Sequence, residues 1–200
     1  VKVLCLPELC ITGYTCGDLF LQDTLLRGAE EALGRILEET KALDMVTAVG
    51  LPLRFQNKLY NCAAIIHTGK ILGVVPKPYI PSYGEFYEER WFAPGTVDVE
   101  YSSTLCGQNI PLGSSQLFQV QTMPGLVIGV EICEDLWAVS PPSCRLAALG
   151  ATLILNLSAS DEVVGKAEYR RQLVVGQSGR LCCGYVYADA GEGESTTDLV

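Results

Sequence analysis

The sequence predicts a single α/β domain, and three observations carry that expectation. Of 200 residues, 48% are hydrophobic and 18% charged, which is enough apolar material for one sizeable core. Short β-rich runs alternate with segments of helical period, the order expected of helices layered on sheets. No internal repeat divides the chain, and no linker rich in proline, glycine or serine does so.

Val1 to Leu6 reads as the first strand. From Thr24 to Leu43 the residues Leu25, Leu26, Ala29, Ala32, Leu33, Ile36, Leu37 and Leu43 recur at steps of three and four, so an amphipathic helix is expected, with Glu38 and Glu39 on its wet face. MVTAVGLPL follows as a strand. NCAAIIH and ILGVVPK flank Thr68-Gly69-Lys70, a spacing that suits a hairpin. SQLFQVQT and LVIGVEIC flank Met123-Pro124-Gly125, where proline and glycine favour a tight turn. Ser143 to Leu149 reads as a short helix ended by Gly150, TLILNLS as a strand, Ala167 to Leu181 as a second long helix and CGYVYADA as a strand. The chain opens on a strand without a methionine, and Leu199-Val200 reads as the start of another strand, so a fragment is expected.

Charge and cysteine usage narrow the function. Fourteen Lys and Arg against 23 Asp and Glu give a net charge of -9, which argues against nucleic acid or an anionic membrane surface as partner. No apolar run approaches the roughly 20 residues of a membrane span. Nine cysteines, odd in number and mostly inside apolar runs, read as the reduced thiols of a cytoplasmic protein. None shows C-x-x-C spacing and His67 is the only histidine, so no metal centre is expected. Asn156-Leu157-Ser158 matches a glycosylation sequon, but it follows TLIL and reads as the buried end of a strand.

In α/β sheets, ligands gather beyond the carboxyl ends of strands. Glu8 follows VKVLCLP, Lys77 follows ILGVVP and Cys133 follows LVIGVEI. A thiol can attack an amide carbonyl when a base takes its proton. His67, between Ile65-Ile66 and a turn, reads as structural or solvent-facing, so the base must be a carboxylate or a lysine. Glu8 suits that role. Lys77 and the backbone amide of Glu134 suit stabilisation of a tetrahedral oxyanion. Each residue singly has a bland reading, as packing, a solvated charge or a loop start, and their joint placement leaves the two readings about even.

The strings PELCITGYTCGDLF, PKPYIPSYGEFYEERWFAPG, GVEICEDLW, NLSASDEVVGKAEYRR and GEGESTTDLV resemble the nitrilase, or carbon–nitrogen hydrolase, superfamily, and within it the glutaminase domains of glutamine-dependent NAD synthetases. The resemblance implies a four-layer αββα sandwich of the nitrilase type that pairs into a homo-oligomer through one helical layer, with edge elements missing at both ends. It implies a general base at Glu8, a catalytic lysine at Lys77, a nucleophile at Cys133, and at Glu85 a second glutamate that hydrogen-bonds and orients the lysine. It further implies a glutamine-contacting Tyr83, with Ser160 and Lys166 holding the substrate's amino-acid end and Tyr14 and Phe86 as pocket walls. L-glutamine is then the substrate, and no cofactor is expected in this domain. ATP and deamido-NAD are expected at a synthetase domain of the same polypeptide, whose Ser-Gly-Gly-x-Asp-Ser stretch is absent from these 200 residues.

Two rivals stand beside this reading. One is a stand-alone amidase or carbamoylase acting on another small amide. The other is a catalytically silent glutamine-binding regulatory module. Gly191-x-Gly193 lacks a following helical pattern and reads as a tight turn, not a dinucleotide fingerprint. Glu168-Tyr169-Arg170-Arg171 reads as a solvated or interface face.

Overall fold

The computed structural model describes residues 1–95, 101–191 and 193. Its elements follow the sequence pattern closely: β1 (Val3–Cys5), α1 (Asp23–Thr40), β2 (Val46–Phe55), β3 (Lys58–His67), β4 (Lys70–Pro76), β5 (Tyr101–Leu105), β6 (Gln108–Leu112), β7 (Phe118–Gln119), β8 (Val127–Ile132), α2 (Pro142–Ala148), β9 (Leu153–Leu157), α3 (Lys166–Leu181) and β10 (Gly184–Ala188). The β5–β6 hairpin is an element the sequence pattern did not disclose. The strand expected at Leu199-Val200 and most of the GEGESTTDLV block lie outside the described residues.

Two sheets form. One has the strand order β1-β2-β3-β4-β6-β5 and the other β10-β9-β8-β7. In the first, β2, β3 and β4 pair antiparallel and β1 joins β2 in parallel. In the second, β8, β9 and β10 run parallel. The two-residue β2–β3 turn holds Gln56 and Asn57 at φ +48 and +62, the paired left-handed geometry whose twist matches a hairpin.

The sheets meet face to face because each buries one face of alternating apolar residues. Ala48, Ala63, Ile65 and Val75 pack on Ile128, Val130, Ile132, Leu155 and Leu157. On the outer face of the first sheet, Leu33 and Leu37 of α1 cover Val49, Leu51, Cys62, Ala64 and Ile66, so the apolar stripe read in the helix has its partner. On the outer face of the second, Leu146 of α2 packs with Ile154 and Cys183. The result is the four-layer αββα sandwich. Its consequence for chemistry is positional: β1, β4, β8 and β9 all deliver their following residues to one end of the sheet interface.

Candidate active site

The position expected of the nucleophile is made by a sharp reversal. β8 ends at Ile132, and Cys133 opens a 3-10 turn (Cys133–Trp137) with φ +45, a left-handed conformation that is strained for any residue with a side chain. Two polar side chains hold it there. The Cys133 N–H donates to Asn156 Oδ1 of β9 at 3.0 Å. Asp135 accepts the N–H of Ile132 at 2.8 Å and that of Tyr79 at 3.1 Å, which ties the reversal to the segment that follows Lys77. Asn156 in turn donates to Tyr185 at 3.0 Å.

Glu8 and Lys77 meet directly, and Cys133 lies within their electrostatic reach, joined to the Glu8 backbone through Ser158. Lys77 is fully buried and donates to Glu8 Oε1 and to Glu88 Oε1, each at 2.7 Å. Asn61 of β3 donates to Glu8 Oε1 at 2.6 Å and lies 3.4 Å from Glu88 Oε2. The Ala159 N–H donates to Glu8 Oε2 at 3.1 Å. Tyr14 donates to Glu88 Oε1 at 2.7 Å.

The hydrogen bond to the lysine that was expected of Glu85 is therefore made by Glu88. Glu85 is exposed, whereas a second 3-10 turn (Glu88–Arg90) directs Glu88 inward, and the Glu88 side chain is 1% exposed. Glu85 instead acts at a distance on Lys166. Tyr14, expected in the pocket wall, is bonded into the buried cluster through Glu88.

Burial and charge set the protonation pattern. Burial pushes the Glu8 carboxyl up to about 7; Lys77 opposes that rise and Glu88 adds to it. Burial alone would lower the Lys77 ammonium, but Glu8 and Glu88 outweigh it and hold the group well above its ordinary value. Burial, then the charge of Glu8, pushes the Cys133 thiol well up, against the pull of Lys77. At neutral pH the resting cluster thus holds a thiol, an ammonium and a carboxyl near its midpoint. Such a state suits a base that takes a proton only when sulfur attacks.

Tyr83, Phe86 and Lys166 gather around Glu134 and Trp137 of the turn that Cys133 opens. Tyr83 is exposed and donates to both oxygens of Glu134, at 3.0 and 2.9 Å. Phe86 meets Tyr83 edge-on with centroids 5.9 Å apart. Lys166 lies 5.9 Å from the Phe86 ring and 5.4 Å from that of Trp137, contacts that suit a cation, and its ammonium pairs with Asp161. Ser160 is buried and its N–H donates to Asp189 at 2.8 Å.

Sequence reasoning missed Asn61, Glu88, Trp137, Asn156, Ser158, Asp161 and Asp189. For Asn61, Asn156 and Ser158 a signal existed, because each is a polar residue within or at the end of a buried apolar run, where an unpaired side chain would be costly. His67 faces Asp44 at 3.2 Å and takes no part. Among the described residues no group of three or more His, Cys, Asp or Glu could hold a metal ion. No helix there is long and apolar enough to cross a membrane.

The family model for carbon–nitrogen hydrolases matches residues 1–187. A glutamine-dependent NAD(+) synthetase of Mycobacterium tuberculosis is 48% identical over 194 residues, 96% of this chain and 28% of that protein. The crystal structure of a glutamine-dependent NAD(+) synthetase from Cytophaga hutchinsonii superposes with a TM-score of 0.83 at 37% identity, covering 94% of this chain and 30% of the other. An amidase from Nesterenkonia sp. shares the fold, with a TM-score of 0.68 at 18% identity over 94% of this chain and 63% of its own. The chain spans between a quarter and a third of the length of the synthetases it matches.

Proposed function

This chain belongs to the carbon–nitrogen hydrolase family, and we propose that it hydrolyses the side-chain amide of L-glutamine to glutamate and ammonia. The observation that carries the reading is Lys77 held between Glu8 and Glu88 in a fully buried cluster beside a cysteine on a strained turn. Such a cluster serves thiol chemistry without imidazole.

The steps balance on these residues. Glu8 takes the Cys133 proton as sulfur bonds to the amide carbon. Lys77 and the amide of Glu134 stabilise the oxyanion. The intermediate collapses to a thioester, and ammonia leaves with the proton that Glu8 returns. Water then loses a proton to Glu8 and attacks the thioester carbon; sulfur leaves as glutamate is released and takes the proton back from Glu8, which restores the thiol.

The groups around the Cys133 turn support an α-amino acid as substrate. Lys166 offers a cation to a carboxylate, while Glu134 and Asp161 offer acceptors to an ammonium. The names of the synthetases it resembles support delivery of the ammonia to a synthetase domain of the same polypeptide, which would use ATP and deamido-NAD in the cytoplasm. Exposed Val175 on α3 of the outer helical layer supports pairing of copies there.

Ammonia release should be measured with glutamine, asparagine, N-carbamoyl amino acids and simple nitriles. Preference for glutamine is expected, and equal use of the others would defeat the substrate assignment. A silent module would bind glutamine without turnover, and a glutamine-like electrophile would leave its Cys133 unmodified.

A further inference from the structure

The sulfur of Cys133 has a polar neighbour that the steps above do not use. Ser158, the first residue beyond β9, is fully buried, and its Oγ donates to Cys133 Sγ at 3.3 Å. The same oxygen lies 2.6 Å from the Tyr187 hydroxyl of β10. Backbone bonds fix the serine: its N–H donates to Ala188 O at 2.7 Å, and its carbonyl accepts the Glu8 N–H at 3.2 Å. The hydroxyl is thus anchored between the strand that carries Tyr187 and the loop that carries the base.

A serine hydroxyl has one proton and can accept as well as donate. When that proton points at sulfur, the contact with Tyr187 requires the tyrosine to donate. We infer that Tyr187 and Ser158 form a hydroxyl relay in which Ser158 is a further catalytic residue, donating to the Cys133 thiolate each time it forms. Thiolate character develops twice, as sulfur gives up its proton on attack and as it leaves the thioester. The inference rests on the reading of Cys133 as nucleophile. Burial, and then the neighbouring Cys133 and Asp189, hold the Tyr187 phenol far above its ordinary value, so it remains a donor across the working range. Glu8, Lys77, Glu88, Tyr14, Tyr83 and Lys166 also interact electrostatically with the same sulfur. Removal of either relay hydroxyl leaves those groups in place.

The test compares Ser158→Ala and Tyr187→Phe in the full-length polypeptide. The rate of Cys133 alkylation by iodoacetamide would be followed against pH by peptide-level mass spectrometry, alongside kcat and KM for glutamine. For Ser158→Ala the alkylation midpoint should rise by about one pH unit, with a roughly tenfold slower rate below it, and kcat should fall with little change in KM. Tyr187→Phe should move both in the same direction by about threefold. An unchanged alkylation profile in both variants overturns the relay, even where the parent hydrolyses glutamine. A shifted profile in a parent that does not turn glutamine over upholds the relay and defeats the substrate reading. If Ser158→Ala fails to fold, Tyr187→Phe decides, because it keeps the serine in place. A parent Cys133 that resists alkylation at every pH also overturns the relay.

Discussion

Lys77 donates to Glu8 at 2.7 Å, and both side chains are wholly enclosed. The two residues follow different strands of the first sheet, one β1 at its edge and the other β4 in its interior, and Glu88 is the second carboxylate of the ion cluster. A buried cation between two carboxylates persists only when every partner is present, because removal of one leaves an uncompensated charge in the interior.

Lys77→Met should therefore damage fold as well as activity. It strands Glu8 and Glu88 together, and the loss should reach about 3–5 kcal/mol in urea unfolding. Protonation of Glu8, whose carboxyl is already pushed up to about 7, would relieve the stranded pair, so the deficit should shrink at pH 5. A deficit independent of pH would mean that packing, not charge, dominates.

Glu88→Gln and Glu85→Gln separate the two acids by function. Glu88 touches Lys77 and Tyr14, so its amide variant should lower kcat by roughly ten- to a hundredfold, the scale of a lost charge-assisted bond. Glu85 is exposed, and its variant should alter KM more than kcat through the nearby Lys166. Steady-state kinetics on both variants gives the comparison.

The positions of Glu8, Lys77 and Cys133 were legible because each lies just beyond an apolar run, and strand periodicity tells where such a run stops. The choice between Glu85 and Glu88 was not legible. Both lie in an irregular segment with no period, and only the short turn at Glu88–Arg90 decides which acid faces inward. The β5–β6 hairpin escaped for a related reason: its reversal uses Cys106 at φ +49, a residue type that gives no turn signal, beside Gly107. The Asn156 bond to the Cys133 amide depends on β8–β9 register, in which Glu131 lies opposite Asn156, and register is a property of two strands together.

Cys133→Ala should abolish hydrolysis while the domain stays folded, since it deletes the nucleophile and little volume. Cys133→Gly should be equally inactive yet more stable than the alanine variant by about 1 kcal/mol, because glycine accepts φ +45 without strain. Thermal unfolding of the pair tests whether the strain is real; greater stability in the alanine variant would deny it.

The pH profile of kcat/KM should rise through an apparent value near 7, where Glu8 loses its proton and becomes a base. Below that value the rate should fall about tenfold per pH unit. Because Glu8 is coupled to Lys77 and Glu88, the value belongs to the cluster. Lys77 stays charged well above its ordinary value, so it should add no descending limb at neutral pH. The same shift works on stability in the opposite direction. The folded carboxyl keeps a proton that the unfolded chain releases, so this group's contribution declines as pH rises from about 4.5 to about 7. Denaturant midpoints across that range would show it.

Gly50 of β2 links sheet packing to catalysis most directly. A Cβ built there would lie 2.4 Å from the Leu9 nitrogen, 2.6 Å from the Pro7 oxygen and 2.9 Å from the Glu8 carbonyl carbon. All three are backbone atoms of the loop that carries the base, so no side-chain rotation can relieve the contact. Gly50→Ala must push that loop away from β2, and with it the Glu8 carboxylate that Lys77 and Asn61 hold. A displacement on the order of 1 Å lowers rates about a hundredfold, whereas overpacking of this kind costs about 1–3 kcal/mol of stability. The variant should therefore stay folded in circular dichroism and lose kcat far out of proportion to its stability. Parallel losses, with kcat restored by lower temperature, would mean that Gly50 serves the fold alone.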